Sequence, residues 1–193
     1  MKGERNAQVY QVGPHLFGTS STIPHWKTEE LIPSLKPFLL SLDTYKEKEL
    51  KIAFSLAIQP ESETQEEDHA KYRSLIEFEW ESATCRISVI PDTDSYLITI
   101  LAPNDPKEYT AYFFYGFTKG ILFLHATEAD AFVLNNILMM IYAFNTACSD
   151  TVLMHASVIK KDGKGYLFQG KSGTGKSTHS LSLIHISEPT RPY

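Results

Sequence analysis

Eight consecutive residues, Gly170-Lys171-Ser172-Gly173-Thr174-Gly175-Lys176-Ser177, carry the clearest chemistry in this chain. They fit the spacing G-x-x-x-x-G-K-[ST], in which a loop wraps the phosphates of a nucleotide. The residue types follow from the task. Glycines let the backbone enter conformations closed to other residues, so that successive N–H groups turn inward as an anion-binding nest. Lys176 would bring an ammonium to the β- and γ-phosphates, and the Ser177 hydroxyl would ligate Mg²⁺. Thr178 extends the set of phosphate-binding candidates at the start of a helix, whose positive dipole end faces the same phosphates. From average residue usage the pattern arises by chance in about one chain in a hundred of this length. The competing reading is a Gly/Ser-rich surface turn.

The loop needs a strand to enter it and a helix to leave it. Gly165 to Gln169 is a short apolar run suited to a buried strand. Before it, Val152 to Lys160 and a turn at Lys161 to Lys164 predict a β-hairpin that runs into the loop. Lys160, Lys161 and Lys164 flank the turn signal Asp162-Gly163, so they read as a solvated hairpin tip rather than a phosphate-steering patch. Further upstream, Thr127-Glu128-Ala129-Asp130 resembles a capping box with Thr127 as the cap. Phe132, Leu134, Ile137, Leu138, Ile141 and Phe144 follow at helical spacing, predicting a helix to about Cys148.

The preceding two-thirds reads as an antiparallel, β-rich domain. Leu50, Ile52, Phe54, Leu56 and Ile58 alternate with smaller or polar residues, the period of a half-buried strand. Ile76, Phe78 and Trp80 alternate with Glu77, Glu79 and Glu81, which predicts a solvated sheet face rather than a carboxylate site. Cys85 to Val89, Tyr96 to Ile100, Tyr109 to Tyr115 and Gly120 to Leu124 supply further strands. Val9 to Val12 and His15 to Phe17 predict a hairpin around Gly13-Pro14. Breaks are expected at Ser41 to Glu49 and, in an acidic stretch, at Pro60 to His69.

Composition narrows the function classes. With 42% hydrophobic and 12% aromatic residues the 193-residue chain can bury a core. A formal charge of −5 and a pI near 5.8 argue against a nucleic-acid surface, which shows a basic stripe. The longest apolar stretch, Ala131 to Phe144, is interrupted by Asn135 and Asn136 and is too short to span a bilayer. Cys85 and Cys148 lie far apart without metal-type spacing, and the opening residues are polar, so a reducing cytoplasm is the expected compartment.

The segment from Met154-His155-Ala156-Ser157-Val158 through the hairpin to Tyr166-Leu167-Phe168-Gln169 and the loop resembles the superfamily shared by HPr kinase/phosphorylase and ATP-dependent phosphoenolpyruvate carboxykinase. Met-His-x-Ser and Gly-x-Ser-Gly-Thr-Gly-Lys are closest to the carboxykinase version. The short chain upstream is more like HPr kinase-related proteins. The resemblance covers about Asp150 to Ser180. It implies an α+β protein: a β-rich domain over residues 1–127, then the first helix, hairpin and phosphate loop of a nucleotide-binding core over residues 128–180.

The resemblance also gives His155 a role. A lone histidine on a strand with apolar neighbours is by default a hydrogen-bonded core residue. In the family it lies beside the transferred phosphate or ligates a divalent metal, for which neutral imidazole suits Mn²⁺ better than Mg²⁺. Thr178-His179 stands where HPr kinases tend to carry an acidic residue, which points away from HPr as the substrate.

Residues 181–193, Leu-Ser-Leu-Ile-His-Ile-Ser-Glu-Pro-Thr-Arg-Pro-Tyr, resemble an in-frame translation of a transposon adaptor used in sequencing libraries. They are expected to be a non-native tail, with the parent gene continuing past the loop. The parent is then expected to be an ATP-dependent phosphotransferase acting with Mg²⁺ (or Mn²⁺) on a protein serine or a small molecule, with oligomers allowed. The alternatives are a non-catalytic nucleotide-sensing module and a carboxykinase-like lyase. The 193-residue chain itself is expected to be inactive in transfer.

Overall fold

The computed structural model describes residues 6–41, 51–63, 71–80, 83–154, 156–171 and 173–187. It divides into two compact units, Met1–Val152 and Leu153–Tyr193.

The first unit is a mixed α+β fold dominated by one large sheet. Its strands are β1 (Asn6–Val12), β2 (His15–Ser21), β3 (Leu39–Leu40), β4 (Ile52–Pro60), β5 (Arg73–Trp80), β6 (Ala83–Val89), β7 (Tyr96–Leu101), β8 (Glu108–Phe114) and β9 (Lys119–Leu124). They lie in the order β3-β1-β2-β4-β9-β8-β7-β6-β5. The hairpin expected around Gly13-Pro14 is β1–β2, and β5 to β9 form an antiparallel meander.

The sheet is not antiparallel throughout. Strand β4 lies parallel to β2 on one side and to β9 on the other. Parallel neighbours need a long crossover instead of a tight turn. Here residues 22–51 separate β2 from β4, and the described part of that connection holds the short helix α1 (Thr28–Leu31), a 3₁₀ turn (Pro33–Phe38) and β3. Strands β5 to β8 of the meander separate β4 from β9 in the chain. Alternation along a strand reports which residues share a face, but says nothing of the neighbouring strand's direction.

Helix α2 (Asp130–Ala147) shares the sheet's main apolar cluster. Val133, Leu134, Ile137 and Ile141 are buried with Tyr10, Phe17, Phe54, Leu56 and Phe113 from the sheet. Each large side chain so buried contributes about 1.5–3 kcal/mol. The Tyr142 hydroxyl donates to the Val12 carbonyl at 2.9 Å, tying the helix to β1. The division between compact units therefore falls after Val152, with the helix on the sheet's side. The boundary expected from the sequence, at 127/128, lies ahead of that helix.

The expected capping box with Thr127 as the cap is not formed: the helix N-cap is Ala129, without a side-chain cap bond, and Thr127 and Asp130 instead close the turn before it. Thr127 Oγ1 accepts from the Ala129 N–H at 3.1 Å, while the Asp130 carboxylate accepts from the His125 and Ala126 N–H groups. Tyr109 donates to Asp105 and Asp130, and its hydroxyl also lies 2.5 Å from that of Thr127. Burial, reinforced by the two carboxylates, raises the Tyr109 phenol above its ordinary value.

Strand β5 is an outer strand, so its apolar residues are less covered than alternation alone predicts. Leu75 and Ile76 are 51% and 52% exposed. Phe78 and Trp80 are half-buried, with Trp80 leaning on Phe132 of the helix. Glu77 is on a solvated face as expected, and accepts from the Arg86 guanidinium at 2.7 Å. Glu81 and most of the two expected breaks lie outside the described residues. Among the described residues no helix is long and apolar enough to cross a membrane.

The second unit is the hairpin β10 (Ala156–Lys161) and β11 (Lys164–Gln169) followed by helix α3 (Lys176–Ser187). Asp162 and Gly163 both have positive φ, +51° and +75°, the requirement of a two-residue turn whose twist matches the strands. Ile159 is buried, and the Ser157 and Ser180 hydroxyls lie 2.6 Å apart, linking hairpin to helix.

Candidate phosphate-binding loop

The hairpin register delivers the chain to the loop. Ala156 pairs with Gln169, the last residue of β11, and Gly170 begins the turn toward the helix. Gly173 and Gly175 have φ of +79° and +80°, a region costly to residues with a Cβ. Gly170 is required for a different reason. A Cβ there would lie 2.8 Å from Thr174 Oγ1, which donates to the Lys171 carbonyl at 2.8 Å.

Helix α3 begins as the motif requires. The His179 N–H donates to the Gly175 carbonyl at 2.9 Å, the first bond of the helical ladder. The N–H groups of Lys176, Ser177 and Thr178 therefore precede any helical acceptor and remain available to an anion. No acidic residue occupies the first turn of the helix, so no carboxylate competes for that end. The helix adds about half a positive charge there.

Lys176 is drawn back over the loop. Its Nζ donates to the Gly170 carbonyl at 3.0 Å and to the Lys171 carbonyl at 2.9 Å, in an exposed setting. The Lys171 carbonyl also accepts from the Thr174 N–H at 3.3 Å and the Thr174 hydroxyl. One carbonyl with two lone pairs thus faces three donors, of which the ammonium alone is carried on a long, exposed side chain. An arriving phosphate would offer it a charged acceptor, whose bonds are about twice as strong.

Ser177 follows Lys176 in the first helical turn and offers a hard oxygen. Among the described residues no group of three or more His, Cys, Asp or Glu gathers around a point. A divalent ion at this loop would find the Ser177 hydroxyl beside phosphate oxygens and water, oxygen donors that suit Mg²⁺. His155 and Ser172, both expected site residues, lie outside the described residues. Gly170, Lys171, Gly173, Thr174, Gly175, Lys176, Ser177 and Thr178 lie together within the loop and the first turn of α3.

Two features of the site had no sequence signal. The lysine's bonds to two loop carbonyls depend on the fold of the turn. The Ser157–Ser180 contact depends on how the helix lies across the hairpin. No protein-family model, curated protein or solved structure matches this chain.

Proposed function

We propose that the loop from Gly170 to Thr178 binds the phosphates of ATP with Mg²⁺, and that the parent protein is an ATP-dependent phosphotransferase related to the HPr kinases. One observation carries the reading. Gly173 and Gly175 hold the left-handed backbone at the point where helix α3 starts, with its first N–H groups and Lys176 at one place. A surface turn has no need of that combination.

Phosphoryl transfer depends mostly on positioning and charge neutralisation. The loop N–H groups would orient the β-phosphate, and Lys176 would follow the charge that builds as the bond to the γ-phosphorus breaks. Ser177 would hold the metal, which neutralises the phosphate oxygens. The new bond forms to the hydroxyl of a protein serine or small molecule, whose proton must pass to a base. His155 precedes Ala156, whose partner Gln169 adjoins the loop. We assign it to the transferred phosphate, as a protonated ring stabilising charge or as a neutral metal ligand. A cytoplasmic setting accompanies this reading.

The test is nucleotide binding followed by acceptor phosphorylation. Calorimetry with Mg-ATP should show saturable binding that Lys176→Ala weakens sharply, and unchanged binding would refute the loop assignment. In the uninterrupted parent protein, His155→Ala should depress turnover far more than nucleotide affinity. A parallel loss of stability and binding would make the histidine structural.

A further inference from the structure

The first unit holds a second polar cleft, of about 660 Å³, at the starting ends of the three parallel strands. His15 opens β2, Lys51 precedes β4 and Lys119 opens β9, and all three line the cleft. Asn145, near the end of α2, borders it, and the half-buried Ile52 and Ala53 contribute an apolar wall. No carboxylate is among the described lining residues, although the chain as a whole carries 23 acidic against 18 basic side chains.

Among the described residues neither lysine has a carboxylate partner; the lysine ion pairs found are those of Lys27 and Lys107. Lys119 Nζ rests 5.6 Å from the centre of the Tyr115 ring, a contact worth about 0.5–1 kcal/mol at an exposed position and easily exchanged for an anion. The His15 ring is held by a 2.7 Å contact between its Nε2 and Thr151 Oγ1. Asn145 donates to the Phe117 and Ile141 carbonyls at 3.0 and 2.8 Å, which commits its NH₂ and leaves the acceptor oxygen as its remaining polar atom. The carboxyl end of α2 adds about half a negative charge nearby, which two ammonium groups outweigh.

We propose that this cleft binds a small hydroxylated organic anion. Its carboxylate or phosphate meets Lys51 and Lys119, a hydroxyl donates to Asn145, and its carbon skeleton lies on Ile52 and Ala53. The described residues that line it all belong to the first unit, and the proposal does not depend on the assignment of the Gly170–Thr178 loop.

The experiment uses the full chain carrying Lys176→Ala, so that phosphate probes report on the cleft and not on the loop. Glycerol 3-phosphate and inorganic phosphate form one arm, lactate and citrate the other, each titrated at low salt by thermal shift and calorimetry. At least one arm should show saturable stabilisation, and the arm that does names the anionic group. Lys51→Met combined with Lys119→Met should weaken that binding about tenfold or more, whereas Lys119→Arg should retain it. Added chloride should weaken it in the chain with both lysines, a readout that needs no further variant to fold. No saturable binding by any probe, equal affinity in the double variant, or indifference to chloride would each overturn the proposal.

Discussion

Replacing Lys176 by Ala isolates the charge that the loop contributes. In the free protein its Nζ donates to the Gly170 and Lys171 carbonyls at 3.0 and 2.9 Å, both in an exposed setting. Water can replace those bonds, and the Lys171 carbonyl retains the Thr174 N–H and hydroxyl as donors. Folding stability should therefore change by less than about 0.5 kcal/mol, as for other surface substitutions. On a phosphate the same ammonium makes charge-assisted bonds worth about 1.5–3 kcal/mol. The variant should then bind Mg-ATP about 10- to 150-fold more weakly at an almost unchanged Tm. Isothermal calorimetry on both proteins, with the Tm of each free protein taken alongside, separates the two effects. Equal affinity would refute the phosphate role of the lysine. A Tm falling in step with affinity would show that Lys176 holds the loop's shape instead.

The other expectations test neighbouring parts of the same reasoning. Gly175→Ala places a Cβ 3.8 Å from His179 Cδ2, which is ordinary contact, so its penalty comes from φ of +80° and should be about 1–2 kcal/mol, seen as weaker nucleotide binding in calorimetry. Gly120→Ala is a packing test, because the new Cβ would meet the buried Phe113 ring at 2.4 Å; a loss of about 1–3 kcal/mol in denaturant unfolding is expected. At pH 8 a maleimide should label the exposed Cys148 in the native protein and both thiols after unfolding, since Cys85 is buried and its thiol is pushed up to about 11 by that burial. From its ordinary value of 9.0 to that raised value, the folded state keeps a proton that the unfolded chain releases, so Cys85 makes stability fall as pH rises through this window. Serine at position 85, which lacks that titration, should flatten this part of the stability curve.

The features legible in the sequence are those decided within a few residues. The Asp162-Gly163 turn, the loop glycines and the helix running to Ala147 each follow from local backbone preference or a single period, and the structure has them at those positions. The residues of the loop are legible for the same reason, because a motif of this kind occupies one contiguous stretch of chain. Residues that meet across the fold left no such trace. The alternation in β4 identified Phe54, Leu56 and Ile58 as one face, yet only the sheet shows β4 inserted parallel between β2 and β9. The same alternation in β5 was blind to its place at the sheet's edge, where Ile76 remains half exposed. Gly120 reads as an ordinary strand residue until Phe113, its register partner on β8, is seen to fill the space a Cβ would need. The cationic cleft likewise joins Lys51 and Lys119, which are distant in sequence, because parallel strands bring their starting ends to one edge of the sheet. Period and propensity act along the chain, whereas strand order, edges and clefts depend on loop closures and burial that couple remote segments.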